Sequence, residues 1–373
     1  MLVFFLACGC LAVRPLPKEP LVVGYAHEPT SGKVDLAIAN GVNVVCWAFF
    51  HLKLDSKQKP FIETPLDLAA VQAVKERNSE SIVHLAAIGG WNGPHPDPTP
   101  GSGGWWAVFE RFNAENGVAG EPLFDGIDWD LEGHDDVTQP TATFTLPLLD
   151  LMADLSKLAH AHGLLVTMAP AESYLDAMAD DEGFDLSLAV FPSAWAQDVE
   201  ILAGFRHAGK QAYAYILHRA GVDTFAFVAV QLYEGFSRFL HATSRLGQDK
   251  GERLAQWAKA VQTGWWVDLP RYGRRRIVVP SAKLVVGLAN GWADGTKFLQ
   301  MDGTAVAAAQ GVLGEMALRG VMFWTIEEEG SGGWNMARVA DEALHDNLLE
   351  RRKRMKRKHA KRKHNKSRKK NEL

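Results

Sequence analysis

Short apolar runs alternate with longer stretches of helical periodicity along most of the chain. Eight runs have the length and apolar content of buried strands, and they lie at 21–26, 42–50, 82–90, 124–132, 164–170, 227–233, 283–288 and 320–325. Helical patterns separate them, at 33–40, 65–78, from 105 onwards, and at 144–162, 251–263, 303–319 and 336–349. Thr64 and Pro65 are predicted to open the second helix as N-cap and first helical residue, and Gly163 to end the fourth.

Eight strands that alternate with helices predict a parallel sheet, and the count of eight predicts a closed (β/α)8 TIM barrel of the α/β class. An open doubly wound sheet is the alternative. That fold needs a glycine-rich phosphate loop after the first strand, and the segment 24–27 (Gly-Tyr-Ala-His) is not one. We therefore assign 20–347 to one barrel domain.

The segment 171–222 gives the weakest pattern in the chain. Two of its stretches, 187–191 and 211–217, are apolar enough for an additional strand. We interpret the segment as an elaborated loop region at the end of the barrel where active sites lie.

One strand, at 124–132, carries a row of acids. Because side chains alternate along a strand, Asp128, Asp130 and Glu132 share one face, while the other face is apolar. Neighbouring acids on that face lie about 6.6 Å apart. Such a row repels itself when fully ionised, so we expect at least one acid to keep its proton near neutral pH, as general-acid catalysis requires. A solvated acidic edge strand is the alternative, and the apolar opposite face disfavours it.

The charge is unevenly distributed. The formal net charge of the 373 residues is -4, but 351–373 contain fourteen Lys or Arg and one acid, which leaves 26 basic and 43 acidic residues in 1–350. The tail 351–373 lacks apolar periodicity, so we expect it to be disordered. We expect it to contact anionic surfaces or nucleic acid, and a solubilising extension is the alternative.

The two ends of the chain suggest the secretory pathway. The apolar run at 2–13 is too short to span a bilayer and fits a signal peptide at 1–13, with Gly9 and Ala12 near a cleavage point. A disordered apolar start and a misassigned gene start are the alternatives. The last four residues, Lys-Asn-Glu-Leu, are similar to lumenal retention signals. We expect a protein that is secreted or retained in the endoplasmic reticulum, with no transmembrane segment.

Cysteine and histidine patterns do not indicate a metal. Cys8 and Cys10 lie in the apolar leader, and Cys46 lies in an apolar strand, where we expect a buried core thiol. No cysteine framework is present, and no histidine pair has the spacing of a metal site. We predict neither a metal nor a cofactor, and a monomer.

The acidic strand resembles a known signature. The pattern D-x-x-D-x-D-x-E of glycoside hydrolase family 18 is filled by Asp125, Asp128, Asp130 and Glu132. The resemblance spans about 20–347, is greatest to class III chitinases, and extends to four other strand ends, at 87–90, 168–170, 231–233 and 320–324. The sequence departs from the family at three places, with Ala87 for Ser, Ala171 for Gln or Glu, and Glu234 where Asn is frequent.

The resemblance implies a retaining, substrate-assisted mechanism, in which the sugar's own acetamido group is the nucleophile. In that mechanism Glu132 is the general acid and base, and Asp130 orients the acetamido group. Asp128 shares a proton with Asp130, Tyr233 donates a hydrogen bond to the acetamido oxygen, and Trp324 forms the apolar floor under the sugar.

Other residues at the matched strand ends receive supporting roles. Substrate contact is predicted for Gln231, Tyr25, Met168 and Trp91. Structural roles are predicted for Asp125, Gly126, Gly89 and Gly90. Five tryptophans in or near predicted loops either line further subsites or pack beneath the loops, and these are Trp91, Trp105, Trp106, Trp195 and Trp292.

The resemblance leaves three functions open. The first is a chitinase that cleaves β-1,4 linkages between N-acetylglucosamine units. The second is an endo-β-N-acetylglucosaminidase that acts on the chitobiose core of N-glycans. The third is a chitinase-like lectin, which usually lacks the catalytic acid, whereas Glu132 is present. Ala87 removes a hydroxyl expected near Asp128, and Glu234 adds negative charge.

Overall fold

A computed structural model describes residues 13–78, 82–134, 143–188, 208–235, 237–293 and 298–344. The leader up to residue 12, the basic tail with its retention-like end, and Trp195 lie outside the described residues. Within them the strands are β1 Leu21–Ala26, β2 Val44–Leu54, β3 Pro60–Glu63, β4 Val83–Gly90, β5 Gly126–Leu131, β6 Leu165–Met168, β7 Asp185–Leu188, β8 Ala208–Lys210, β9 Phe227–Gln231, β10 Trp265–Leu269, β11 Gly273–Ile277, β12 Leu284–Ala289 and β13 Gly320–Trp324.

Eight of these strands form a closed parallel barrel. Their order is β1–β2–β4–β5–β6–β9–β12–β13, and β1 pairs in parallel with both β2 and β13, which closes the sheet. Each of the eight apolar runs of the sequence supplies one barrel strand. The predicted (β/α)8 barrel is confirmed.

Helices surround the barrel at Lys33–Ala39, Leu68–Arg77, Gly101–Glu115, Leu146–Ala161, Ala212–Ala220, Lys250–Thr263, Gly303–Leu313 and 336–344. Side-chain caps determine where several of them begin. The carboxylate of Asp67 accepts hydrogen bonds from the backbone of Ala69 and Ala70. The second helix therefore begins at Leu68, and its predicted opening at Thr64-Pro65 was wrong because Asp67 is the N-cap. Gly314 (φ +58°) ends the helix predicted to reach residue 319 six residues early.

The described parts of 171–222 contain more regular structure than a loop. Asp185–Leu188 pairs antiparallel with Ala208–Lys210, so the first two residues of the suggested strand at 187–191 lie in a strand, and 189–191 lie outside the described residues. The other suggestion, a strand at 211–217, was wrong, because these residues belong to the helix Ala212–Ala220. All six residues from 212 to 217 are buried, so the run has no polar positions from which a helical period could be read.

A hairpin between helix Lys250–Thr263 and β12 was not predicted. Its strands β10 and β11 pair antiparallel, and β10 alternates buried and exposed positions. On the exposed face the guanidinium of Arg274 lies 4.3 Å from the ring centre of Trp266. Cys46, in β2, is a fully buried free thiol, as predicted.

Glycine at position 126 is required where β5 passes β6. A Cβ at this position would lie 2.0 Å from the carbonyl oxygen of Leu165, which belongs to the backbone and cannot rotate away. Strand β6 therefore approaches the first residue of β5 so closely that only glycine, which has no Cβ, fits at this position.

Replacing Gly126 with Ala is expected to lower the free energy of unfolding by about 1–3 kcal/mol, because the two strands must separate. Gly311→Ala is the matched control. It lies in a helix with no atom within 4 Å of a Cβ, so this change should stabilise by about 0.5–1 kcal/mol. Urea unfolding of both variants measures the difference, and equal stability of Gly126→Ala and the parent would contradict the steric argument.

Candidate active site

The acids of β5 lie inside the barrel at the carboxyl end of its strands. Asp128, Asp130 and Glu132 have exposed fractions of 0%, 3% and 6%. The alternate residues face outwards, where the indole Nε1 of Trp129 donates a 2.8 Å hydrogen bond to Ser156 in helix Leu146–Ala161. Three carboxyls thus converge where TIM-barrel active sites lie.

Asp128 is held by two hydroxyl groups. Tyr25 Oη donates to Oδ2 at 2.5 Å, and Thr167 Oγ1 donates to Oδ1 at 2.5 Å. Burial raises the pKa of Asp128 to about 6, and the two hydrogen bonds oppose that rise. Asp128 is in register with Ala87 of β4 on one side and with Thr167 of β6 on the other, so Thr167 supplies the hydroxyl next to the acid that Ala87 cannot.

Asp130 is oriented by Gln231 from β9. The amide Nε2 of Gln231 donates to Oδ1 of Asp130 at 2.8 Å and to the carbonyl oxygen of Ala169 at 2.9 Å. Burial raises the pKa of Asp130 well above its usual range, and the negative charges of Glu132, Asp128 and Glu234 raise it further. Asp130 therefore keeps a proton more readily than an isolated aspartate does.

Glu132 follows β5 directly and is also protonated more readily than usual. Burial raises its pKa well above the ordinary range, the charge of Glu234 adds to the rise, and a hydrogen bond with Gln231 opposes it. Glu234 itself has a pKa raised to about 7 by burial. A carboxyl that holds its proton more strongly than usual meets the first requirement of a general acid.

Backbone contacts fix the chain around Glu132. Ring atom Nε2 of His95 lies 2.8 Å from the carbonyl oxygen of Glu132, and Tyr213 Oη donates to the carbonyl oxygen of Leu131 at 3.0 Å. The ring of Trp91 lies against Gly133, where a Cβ would be 2.9 Å from its Cζ3 atom. The sequence pattern did not single out His95 or Tyr213, since neither lies in a matched motif.

Asp125 lies at the start of β5, away from the three acids. Its carboxylate accepts hydrogen bonds from the backbone N–H of His84 at 2.8 Å and of Arg14 at 3.2 Å. Lys75 Nζ is 3.9 Å away. These contacts connect β4, the start of β5 and the segment before residue 20, where the domain was predicted to begin. The surroundings of Asp125 are therefore those of a structural residue.

Two glycines at the end of β4 allow close packing. Gly89 has φ +122°, and a Cβ there would lie 2.4 Å from the carbonyl oxygen of Asp130. Gly90 has φ +83°, and a Cβ there would lie 2.4 Å from the ring of Phe49. Both positions need glycine for conformation and for space.

Aromatic side chains cover the opposite side of the barrel mouth. Trp324, at the end of β13, is half-buried and stacks with Phe49 at 5.4 Å and with His27 at 5.6 Å between ring centres. Tyr233 is 6% exposed and follows β9 two residues after Gln231. His27 pairs with the carboxylate of Glu327, and the hydrogen bond between the two side chains is the main cause of the raised pKa of His27.

One predicted contact residue, Met168, and two of the five tryptophans with alternative roles are buried away from the mouth. Met168 is fully buried and in register with Trp129, on the side of the sheet opposite the acids, so its position gives no support to substrate contact. Trp105 and Trp106 are 0% and 7% exposed in helix Gly101–Glu115, so they pack beneath the surface rather than line a subsite. Trp292, by contrast, is 37% exposed.

The part of the chain that the structure describes contains no group of three or more His, Cys, Asp or Glu arranged to hold a metal ion. Within the same ranges, no helix has both the length and the apolar character needed to cross a membrane.

Comparisons with known proteins concern the fold. No family model and no curated protein sequence matches the chain. A glycoside hydrolase family 18 chitinase from Pseudoalteromonas aurantia has a similar structure, with a TM-score of 0.53 at 13% identity over 88% of this chain and 99% of that chain. Concanavalin B has a TM-score of 0.53 at 13% identity over 86% and 98%. A chitinase from Chromobacterium violaceum has 0.50 at 13% over 88% and 99%. The chain therefore has the barrel fold seen in solved family 18 chitinases, the family that its acidic strand resembles.

Proposed function

We propose that the protein hydrolyses β-1,4 linkages between N-acetylglucosamine units, as a chitinase. The observation that carries this proposal is the buried row Asp128–Asp130–Glu132, in which burial raises the pKa of the outermost acid well above its usual range and Gln231 fixes the middle one. Asp130 lies in β5, and Glu132 follows the strand directly, two residues along the chain. This arrangement suits one carboxyl that protonates the leaving oxygen and another that contacts the acetamido group of the same sugar.

In the first step Glu132 donates its proton to the glycosidic oxygen. The bond from that oxygen to C1 breaks as the acetamido carbonyl oxygen of the same sugar forms a bond to C1, which gives an oxazolinium ion and a free sugar hydroxyl. In the second step the Glu132 carboxylate takes a proton from water. The oxygen of the deprotonated water attacks C1 and the oxazolinium ring opens. The configuration at C1 is retained.

Asp130 supports the first step by accepting a hydrogen bond from the acetamido N–H and by stabilising the positive charge that develops there. Gln231 holds Oδ1, which sets the orientation of the carboxyl. Asp128 has both oxygens bound to hydroxyls and a pKa near 6, so its charge influences the proton held by Asp130. The two acids titrate as a pair rather than independently.

The aromatic residues supply binding. We assign Tyr233 as a donor to the acetamido oxygen and Trp324 as the floor beneath the sugar ring. Support comes from their positions at the ends of β9 and β13, on strands that converge with β5 at one mouth. An apolar platform with a few polar groups is the usual composition of a site for a small ligand.

The Glu132→Gln variant tests the function. The parent is expected to convert N-acetylchitopentaose to shorter oligomers, and the variant to be slower by about 10²–10⁴, because general acid–base catalysis is lost. Mass spectrometry of the products measures both, with thermal unfolding as a control for folding. Absence of cleavage by the parent would refute the chitinase proposal, and digestion of N-glycoproteins would then separate an endoglycosidase from a lectin.

The pH profile tests the role of Glu234. The charge of Glu234 helps to raise the pKa of Glu132. The general acid therefore keeps its proton to higher pH, and activity falls only above that pH. In Glu234→Gln that contribution disappears, and the alkaline limb of kcat/KM against pH should move to lower pH. Glu110→Gln removes the same charge on an exposed helix position and should leave the limb in place. An unmoved limb in Glu234→Gln would show that Glu234 does not influence the acid.

Thr167→Val tests the support of Asp128. Without the hydroxyl, one Asp128 oxygen loses a hydrogen bond in a buried site, so the pKa of Asp128 should rise and kcat should fall about tenfold with little change in KM. Thr224→Val is a matched control, since Thr224 is also buried and donates to a backbone oxygen (Ala220, 2.8 Å) far from the acids. Both changes should lower stability by about 1–3 kcal/mol. An equal kcat in the two variants would contradict a role for Thr167 in catalysis.

A further inference from the structure

His27 and Glu327 contact each other at the barrel mouth, and the mechanism proposed above uses neither side chain. His27 directly follows β1, and Glu327 lies in the loop after β13. Ring atom Nδ1 of His27 is 3.1 Å from Oε2 of Glu327. Because β1 and β13 pair with each other, this contact connects the two strands at which the barrel closes.

Glu327 is held as a carboxylate. Its Oε1 accepts hydrogen bonds from the backbone N–H of His27 at 2.7 Å and of Glu28 at 2.9 Å, and its Oε2 accepts one from Thr325 Oγ1. Burial opposes ionisation of Glu327, but the hydrogen bonds from His27 and Glu28 outweigh burial, so the pKa of Glu327 lies below its usual value. A negative charge is therefore fixed beside the His27 ring at neutral pH.

The His27 ring also lies against Trp324, the residue assigned above as the sugar floor. The two rings are nearly parallel, at 13° and 5.6 Å between ring centres. Phe49 lies against the same indole, at 8° and 5.4 Å. Near-parallel rings at such separations are offset, so each neighbour covers only part of the indole. Of these two neighbours, only His27 can carry a charge.

Protonation strengthens both contacts of the His27 ring. The hydrogen bond with Glu327 raises the pKa of His27, burial opposes the rise, and the negative charges of Glu327 and Glu28 add to it. A cation within about 6 Å of the centre of an indole is attracted to the ring. The imidazolium is therefore held by the Glu327 carboxylate and by Trp324 together, and both interactions weaken as the pH rises through the pKa of His27.

We propose that His27 is a positioning residue for Trp324, and that its protonated ring, held by Glu327, keeps the indole in the orientation that receives the sugar. The inference rests on the proposed function, in which Trp324 contacts the sugar and His27 acts through Trp324. Binding of the glycan chain therefore depends on the charge of His27 as well as on the buried acids.

Replacing the His27 side chain leaves the neighbouring contacts between β1 and β13 in place. The backbone N–H of residue 27 donates to Glu327 whatever the side chain is. Thr325 Oγ1 donates to the carbonyl oxygen of Tyr25 at 3.2 Å. The variant His27→Phe thus keeps a ring against Trp324 and removes only the charge and the side-chain hydrogen bond.

The pKa of His27 tests the contact without any substrate. In the full chain, Trp324→Leu keeps an apolar side chain but removes the ring, so the pKa of His27 should fall by about 0.3–0.7 pH units, because the cation loses its attraction to the indole. Trp324→Phe should restore part of the fall. Nuclear magnetic resonance titration of histidines labelled at Cε1 measures the pKa, and the signal missing from His27→Phe identifies His27.

The pH dependence of binding tests the consequence for the sugar. In Glu132→Gln, which removes turnover, the affinity for N-acetylchitopentaose is measured by calorimetry from about pH 5.5 to about pH 8.5. The decrease over this range should be about two- to fivefold larger with His27 than with His27→Phe. His218→Phe is the matched control, because the His218 ring also contacts an aromatic residue, Tyr272 at 4.7 Å, from a helix outside the barrel. Thermal unfolding of every variant controls for folding.

The outcomes separate this inference from the proposed function. A lowered pKa in Trp324→Leu and a smaller pH dependence in His27→Phe, but not in His218→Phe, support the role of His27. An unchanged pKa in Trp324→Leu, or equal pH dependence with His27 and with His27→Phe, would overturn it, whether or not the protein cleaves chitin oligomers. A lowered pKa with neither binding nor cleavage would support His27 as the residue that holds Trp324 and refute the hydrolase.

Discussion

Burial of three carboxyls, two in β5 and one directly after it, is the constraint on which the barrel mouth depends. An acid removed from water favours its neutral form, and neighbouring acids strengthen that preference. Each carboxyl therefore needs its own partner, and these come from other strands, with Tyr25 and Thr167 on Asp128 and Gln231 on Asp130. The closed sheet brings β1, β6 and β9 to the same end, so the barrel supplies donors that a single strand could not.

The barrel was predictable because its strands are buried on both faces. A parallel strand covered by helices outside and side chains inside is a continuous apolar run, and the chain contains eight of them. The same property hid the helix Ala212–Ala220, whose residues 212–217 are all buried, so that no polar position revealed its period. The start of the second helix depended on a single cap, and Asp67 formed it where Thr64 was expected.

The candidate site was predictable as a set of strand ends but not as a set of contacts. Alternation along β5 placed the three acids on one face, and the structure has them there. Side-chain partners on other strands depend on register, which the sequence does not contain. Thr167 illustrates this, since its neighbours Val166 and Met168 are apolar and its pairing with Asp128 appears only once β5 and β6 are aligned. Register also places Met168 on the face away from the acids.

The position of Thr167 bears on how such sites can be recognised. Asp128 lies between two strands, and a hydroxyl can reach it from either one. In this chain β4 offers Ala87 and β6 offers Thr167, so Oδ1 of the acid is satisfied from the opposite side, while Tyr25 of β1 donates to Oδ2. A linear sequence pattern counts Ala87 as the loss of a hydroxyl, although Asp128 has two hydroxyl donors in Tyr25 and Thr167. Barrels can instead be compared by the number and direction of hydrogen-bond donors around each carboxyl. Such a comparison would treat a hydroxyl from β4 and a hydroxyl from β6 as equivalent, and would connect barrels whose sequences no longer resemble one another.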